Sequence, residues 1–289
     1  MTPERLYLCF GALCSSVLAL AANNKIHRVE KLGNDCSTKF GYDPTNVIVT
    51  KRVKNSNTYP HAVLFGGSCG GSIISPNWIL TSAHCTRLTR GMDVVAGTND
   101  TAQFRGITRR VKRLVIHPRF SVRPHWLDAE HYNIKQGAAH FDFLLVELKE
   151  PLPLDDVTMA AIQLNENPAY APKIKIRYAG FGALVPDEKK VKNRSRQLHV
   201  NELQLLSENQ CGVLEDYDPE DMICAIGSLP NFISTCNRYV GSGLVDGNGI
   251  LVGILSWAQN DALECRNGRI VYFSKVSRAR SWIRKVANV

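Results

Sequence analysis

From residue 48 onward the sequence is a succession of short β-branched and apolar runs separated by turn formers, and this spacing restricts the chain to an all-β architecture. The runs cover 48–53, 62–65, 72–74, 78–81, 92–96, 111–116, 143–148, 173–178, 198–205, 250–257 and 270–273. Strands this short and this numerous close into sandwiches or barrels. The period changes near the C-terminus, where Trp282, Ile283 and Val286 fall at helical spacing and predict an amphipathic helix within 276–286. A chain of 289 residues with 44% hydrophobic residues can bury a sizeable core as one unit.

The N-terminal stretch has a different character. An apolar run over 6–22 follows Arg5 and ends in Ala19-Leu20-Ala21, the pattern of a secretory signal spanning residues 1–21. Residues 22–47 are polar and broken by Gly33, Asn34, Asp35, Gly41 and Pro44, so they read as a leader segment rather than a domain. No later segment is long and apolar enough to cross a bilayer, so an extracellular product free of the membrane is expected after signal removal. Cysteine usage agrees: of nine cysteines, Cys9 and Cys14 fall in the signal, leaving seven, a number an oxidising compartment converts to pairs plus one remainder. Cys36 lies apart from the other six and is either a free thiol or a link to a second chain.

The net charge of +9 is partly concentrated in one predicted strand by Arg105, Arg109, Arg110, Lys112 and Arg113. Such a strand is either a solvated basic face or a surface for a sulfated polysaccharide. No zinc-ligand spacing, phosphate-cradling glycine loop or basic patch interleaved with aromatics is present, so no metal, cofactor or nucleic-acid partner is expected. His125, His131 and His140 stand six and nine residues apart, which matches no usual ligand pattern; the segment between His117 and Asp142 reads as a surface loop. Asn99-Asp100-Thr101 and Asn193-Arg194-Ser195 are glycosylation sequons that suit exposed loops of an exported protein.

The stretch from Cys69-Gly70-Gly71-Ser72 through Trp78-Ile79-Leu80-Thr81-Ser82-Ala83-His84-Cys85 closely resembles the catalytic-histidine signature of the trypsin-like serine proteases. Phe141-Asp142-Phe143-Leu144-Leu145 resembles the family's aspartate motif. Ala179-Gly180-Phe181-Gly182, Cys211 with Cys224, Cys236, Ser256-Trp257 and Phe273-Ser274-Lys275-Val276 follow in family order. The resemblance covers residues 48–289 and implies two packed six-stranded antiparallel β-barrels with a C-terminal α-helix and a site in the cleft between them. It also implies the disulfides Cys69–Cys85, Cys211–Cys224 and Cys236–Cys265, a choice that sequence alone leaves open.

In the mechanism of this family a serine attacks the scissile carbonyl, a histidine takes its proton, a buried aspartate fixes the histidine's tautomer, and backbone N–H groups receive the oxyanion. The resemblance assigns the histidine and aspartate roles to His84 and Asp142. It assigns the nucleophile position to Val240, because Cys236 is followed by Asn237-Arg238-Tyr239-Val240-Gly241-Ser242-Gly243-Leu244 with no change of interval. Valine has no nucleophilic atom, and losing such a serine lowers turnover about a millionfold. Arg238 takes the place of a glycine whose N–H helps form the oxyanion hole, and Tyr239 that of the aspartate that pairs with a newly cut N-terminus. Val47 stands where activation requires arginine or lysine. Ser234 is expected at the floor of the specificity pocket, with Ala258 and Val271 replacing glycines of its walls and narrowing it.

These residues predict a secreted, non-catalytic homologue that binds or regulates proteins or surfaces. Two other readings follow from particular features. An active endopeptidase would use Ser242, in its Gly-Ser-Gly context, as a displaced nucleophile; otherwise Ser242 is a turn serine. A glycan or microbial-surface binder would act through the basic strand.

Overall fold

The computed structural model describes residues 7–10, 13–16, 51–52, 58–89, 91–101, 106–122, 139–170, 174–181, 197–212, 217–227, 240–258 and 270–289. In chain order the first strands are β1 (Tyr7–Phe10) and β2 (Leu13–Ser16), which pair only with each other, and β3 (Lys51–Arg52). The first barrel follows with β4 (Ala62–Phe65), β5 (Cys69–Ser75), β6 (Trp78–Thr81), β7 (Asp93–Ala96), β8 (Ile107–Ile116) and, after the short pair β9 (Ser121–Val122) and β10 (Ala139–His140), β11 (Leu144–Leu148). These six strands close in the order β11-β6-β5-β4-β7-β8.

The second barrel comprises β12 (Lys175–Gly180), β13 (His199–Leu205), β14 (Met222–Gly227), β15 (Gly243–Val245), β16 (Leu251–Ala258) and β17 (Val271–Lys275). Its order is β12-β15-β16-β17-β14-β13, closed by the β12–β13 pairing, with β3 added at the outer edge of β13. Short helices α1 (Cys85–Leu88) and α2 (Glu208–Cys211) punctuate the barrels, and α3 (Arg280–Ala287) ends the chain. The expected pair of six-stranded antiparallel barrels with a C-terminal helix is therefore the observed fold.

Side-chain alternation explains the closure. Along β13, His199, Asn201, Leu203 and Leu205 are buried while the residues between them are half-exposed, so one face lines the barrel interior. Strand β5 departs from alternation: Cys69 to Ile74 are all buried, because one face fills the first barrel and the other meets the second. At Gly70 and Gly71 there is no room for a side chain. A methyl on Gly71 would lie 2.8 Å from Ile79, and one on Gly70 would lie 2.3 Å from the Ser242 hydroxyl. Helix α3 buries Ile283 and Ala287 against Leu80, Leu145 and Ile162, so it seals the first barrel's side.

Several elements differ from the sequence reading. Strands β14 and β15 are not among the expected runs: Gly241, Ser242 and Gly243 mask the start of β15, and in β14 the sequence is read only for its Cys224 disulfide. The ends of the segment expected to be a surface loop are ordered differently: Ser121 and Val122 pair with His140 and Ala139, and His117 is buried against Phe141 and Trp282. Disulfides join Cys69 to Cys85 and Cys211 to Cys224. Cys36 and the expected pair Cys236–Cys265 lie outside the described residues.

Two buried histidines link this packing to pH. Burial holds the His61 imidazole down to about 4; His117 is likewise lowered to about 4 by burial and by Arg119, with Asp221 opposing. Unfolded histidine titrates near 6.5, so the unfolded chain binds more protons between those values. Stability should therefore fall as pH drops from about 6.5 to about 4, with a slope approaching two protons. Urea midpoints measured across that range will check this, and replacing His117 by Phe should remove about half of the slope.

Candidate active site

Antiparallel pairing of β6 with β11 places Leu144 opposite Thr81. The chain leaving β6 at Thr81 turns through Ser82 and Ala83 into His84, the residue before α1, while Asp142 stands two positions before Leu144. This register is what brings the imidazole and carboxylate together. Asp142 is fully buried and His84 is only 5% exposed. The Asp142 Oδ1 accepts the His84 backbone N–H at 2.9 Å, and its Oδ2 lies 2.5 Å from His84 Nδ1. That oxygen also accepts the hydroxyls of Ser82 and Ser256, each at 2.6 Å.

Burial pushes the Asp142 carboxyl up, but the His84 charge and hydrogen bond, with the Ser256 and Ser82 hydroxyls, outweigh it and hold the group below its ordinary value. An ionised carboxylate only accepts, so the proton between the two side chains sits on His84 Nδ1, which leaves Nε2 as the basic nitrogen. Two of the groups around Asp142 were not singled out in the sequence. Ser82 and Ser256 stood in plain view inside the histidine and Ser-Trp motifs, but only three-dimensional pairing shows that both donate to one carboxylate oxygen. Ser256 arrives from β16, so the second barrel completes the electrostatics of a pair carried by the first.

The segment expected to supply the nucleophile is described from Val240 onward; Arg238, Tyr239 and Ser234 lie outside the described residues. The Val240 carbonyl accepts the Gly70 N–H at 2.8 Å, and the Gly241 N–H donates to Leu255 O at 2.8 Å. Gly241 has φ +84°, and a methyl there would lie 2.1 Å from the Thr81 hydroxyl and 2.5 Å from Gly70 O, so glycine is required twice over. The Val240 side chain is half-buried and packs against the cores of both barrels. Val271, expected on a pocket wall, is fully buried among Ile176, Leu203 and Val252 in the second barrel's core. Ala258 ends β16.

Ser242 is not an open turn serine. It is fully buried, and its Oγ has no hydrogen-bond partner among the described residues, so it is bonded to neither His84 nor Asp142. Its surroundings explain why. Ser242 of the second barrel presses its hydroxyl onto the Cα of Gly70 in the first, and Ser72 of the first presses onto Gly243 of the second, where a methyl would lie 2.2 Å from the Ser72 oxygen. The Ser72 hydroxyl is also without a partner among the described residues. This reciprocal pair of serine–glycine contacts lets the two barrels meet at backbone distance.

Other expected features are placed as follows. Lys112 and Arg113 of the basic strand both bond to Glu147, whose carboxyl they hold below its ordinary value, and Arg109 donates to Pro151 O at 2.9 Å. Asn99 is half-buried and its carbonyl accepts the Leu198 N–H at 2.8 Å across the barrel seam, a more confined setting than the exposed loop expected for its sequon. Asn193 lies outside the described residues, as do His125 and His131. His140 meets Asp221 at 3.3 Å with Asp218 nearby, but Asp221 already accepts the Phe141 N–H and the buried Lys275 ammonium stands beside them on Pro219 O, so a cation is already present.

Comparison with known proteins agrees with this geometry. The trypsin family model matches residues 48–283. Scolexin B of Heliothis virescens is 46% identical, with 96% of this chain and 98% of that protein covered. Kallikrein-2 of Homo sapiens is 29% identical, with 80% and 85% covered. The structure of neuropsin, a serine protease expressed in the limbic system of mouse brain, superposes with TM-score 0.66 at 25% identity, covering 82% of this chain and 98% of that one. This chain belongs to the trypsin-like serine protease family.

The seam makes a quantitative prediction. Gly70→Ala should destabilise the fold by about 1 to 3 kcal/mol through overpacking. Ser242→Ala alone should change stability by less than about 1 kcal/mol, because a buried hydroxyl without a partner contributes little. Combined, the two should recover part of the Gly70→Ala loss, and a double-mutant cycle in urea will measure the coupling.

Proposed function

We propose that this chain is an exported, non-catalytic member of the trypsin-like family that acts by binding or regulating other proteins or extracellular surfaces. Residues 1–21 leave as a signal, 22–47 form a leader, and 48–289 make the two-barrel unit. The reading is carried by the residue order after Cys236, which aligns Val240 with the family's nucleophile. Its loop keeps the docking that orients such a residue, through the Gly70 N–H to Val240 O bond and the left-handed Gly241, while the side chain itself is hydrocarbon. A basic Nε2 on His84 then has no hydroxyl to deprotonate at that place. Arg238, Tyr239 and Val47 support the same conclusion, since each replaces a residue on which oxyanion binding or activation depends.

Retention of His84 and Asp142 is compatible with lost turnover. A buried carboxylate must keep its donors, and breaking such a pair costs about 3 to 5 kcal/mol, so packing alone can hold both residues in place. The displaced-nucleophile reading is disfavoured by the burial and missing hydrogen bonds of Ser242. A glycan-binding role for β8 is disfavoured because Lys112 and Arg113 are already neutralised in part by Glu147.

The secreted protein, before and after limited trypsin treatment, should not become covalently labelled by a fluorophosphonate probe, whereas an active trypsin control should. Labelling that disappears in the Ser242→Ala variant would instead establish the displaced nucleophile.

A further inference from the structure

We infer that a pocket walled by Tyr59, His61, Arg177 and the 160–163 segment is a binding site for a carboxylate-bearing, extended peptide segment of a partner. The pocket holds about 360 Å³ and is built from both barrels and the chain that joins them. That volume lies within the usual range of ligand sites. None of its lining residues belongs to the His84–Asp142 site, so the inference is independent of whether Val240 silences that site.

His61 is the first observation. It is 7% exposed, it belongs to the pocket wall, and its imidazole has no hydrogen-bond partner among the described residues. A ligand that supplies an acceptor at the pocket side would give this ring a hydrogen bond that the described residues do not. The Tyr59 ring stands edge-on to it, with centroids 6.2 Å apart. The imidazole stays neutral down to about pH 4 because of its burial, so it offers an N–H without adding a charge to the cavity.

Tyr59 and Arg177 supply the remaining chemistry. Burial raises the Tyr59 phenol while the Arg177 guanidinium beside it draws it the other way, which places a phenolic O–H and a guanidinium on one wall. Arg177 is held by Glu202 through its Nε at 3.2 Å and hydrogen-bonds the Tyr59 phenol; a guanidinium carries five N–H donors, so others remain for a second acceptor. Imidazole N–H, phenol and guanidinium together form a donor set that a carboxylate fits.

The 160–163 segment argues for a peptide rather than a free acid. Its Ala160 N–H bonds to Pro60 O at 3.1 Å and its Ile162 N–H to Ile73 O at 2.9 Å, so both of these amides are already used within the protein. In an extended chain successive amides face opposite ways, so the exposed Ala161 offers its amide edge to the pocket side, where it has no partner among the described residues. An added strand would pair with it, the usual way a peptide extends a backbone edge. Asp246, the one acid of the lining, uses its Oδ1 on the Asn248 and Ile250 amides and repels a carboxylate, which sets the acid at the His61 and Arg177 end.

The test is calorimetric titration of the full-length secreted protein with three probes: acetyl-Val-Ala-Ala as the free acid, the same peptide as its C-terminal amide, and acetyl-Ala-Asp-Ala amide. Either acid should bind at least about tenfold more tightly than the neutral amide. Preference for the first identifies a chain terminus, and equal binding of both acids identifies any carboxylate. His61→Phe should weaken acid binding by about tenfold or more; if that variant does not fold, Arg177→Gln, altered at an exposed side chain, should give the same loss. Acid probes that bind no better than the amide, or variants that bind as the parent does, overturn the assignment.

Discussion

The structure depends on a backbone contact between barrels that involves no reactive side chain. The Gly70 N–H meets Val240 O, and Gly241, in the left-handed region, brings the chain so close that a methyl on it would lie 2.5 Å from Gly70 O. Such a contact is indifferent to what residue 240 carries. A hydroxyl can therefore be exchanged for an isopropyl group without loosening the loop, and the isopropyl group gains apolar neighbours from both cores. Side chain and architecture are separable at this position.

The imidazole and carboxylate are a contrasting case. Asp142 sits where water cannot reach it, and its Oδ2 gathers donors from His84, Ser82 and Ser256 while Oδ1 takes a backbone amide. A charge in that position is stable only with its full set of donors. Three of these donors lie on the first barrel and one on the second, so the carboxylate also ties the barrels together. Loss of catalysis would remove the selective reason for the pair while leaving its energetic reason intact.

The sequence made the scaffold legible wherever a motif fixed several residue types at once. Cys69, Gly70, Trp78, His84 and Cys85 carried the first barrel, and Trp282, Ile283 and Val286 carried the final helix. What stayed hidden were features that depend on contacts between distant segments. Gly-Ser-Gly around Ser242 reads as a turn, because small flexible residues mark turns locally; at the seam the same smallness serves close packing. The donors Ser82 and Ser256 could not be assigned for the same reason, being 174 residues apart and joined only through Asp142. His61 had no motif at all, and its interest lies entirely in being buried beside open space.

The positive charge illustrates how a compositional signal changes meaning once folded. A surplus of +9 suggests an anion-binding surface, yet the described glutamates repeatedly serve two cations each. Glu147 holds Lys112 and Arg113, Glu220 holds Arg119 and Arg278, and Glu166 holds Arg280 and Arg284. Each cluster leaves one net charge in high dielectric, where screening over about 8 Å keeps separate clusters from adding into one strong field. A surplus divided in this way favours solubility over recognition. Recognition is better served by a walled pocket, where a few donors act with less screening on a single group, and for this protein that distinction moves attention from the basic strand to the cleft beside His61.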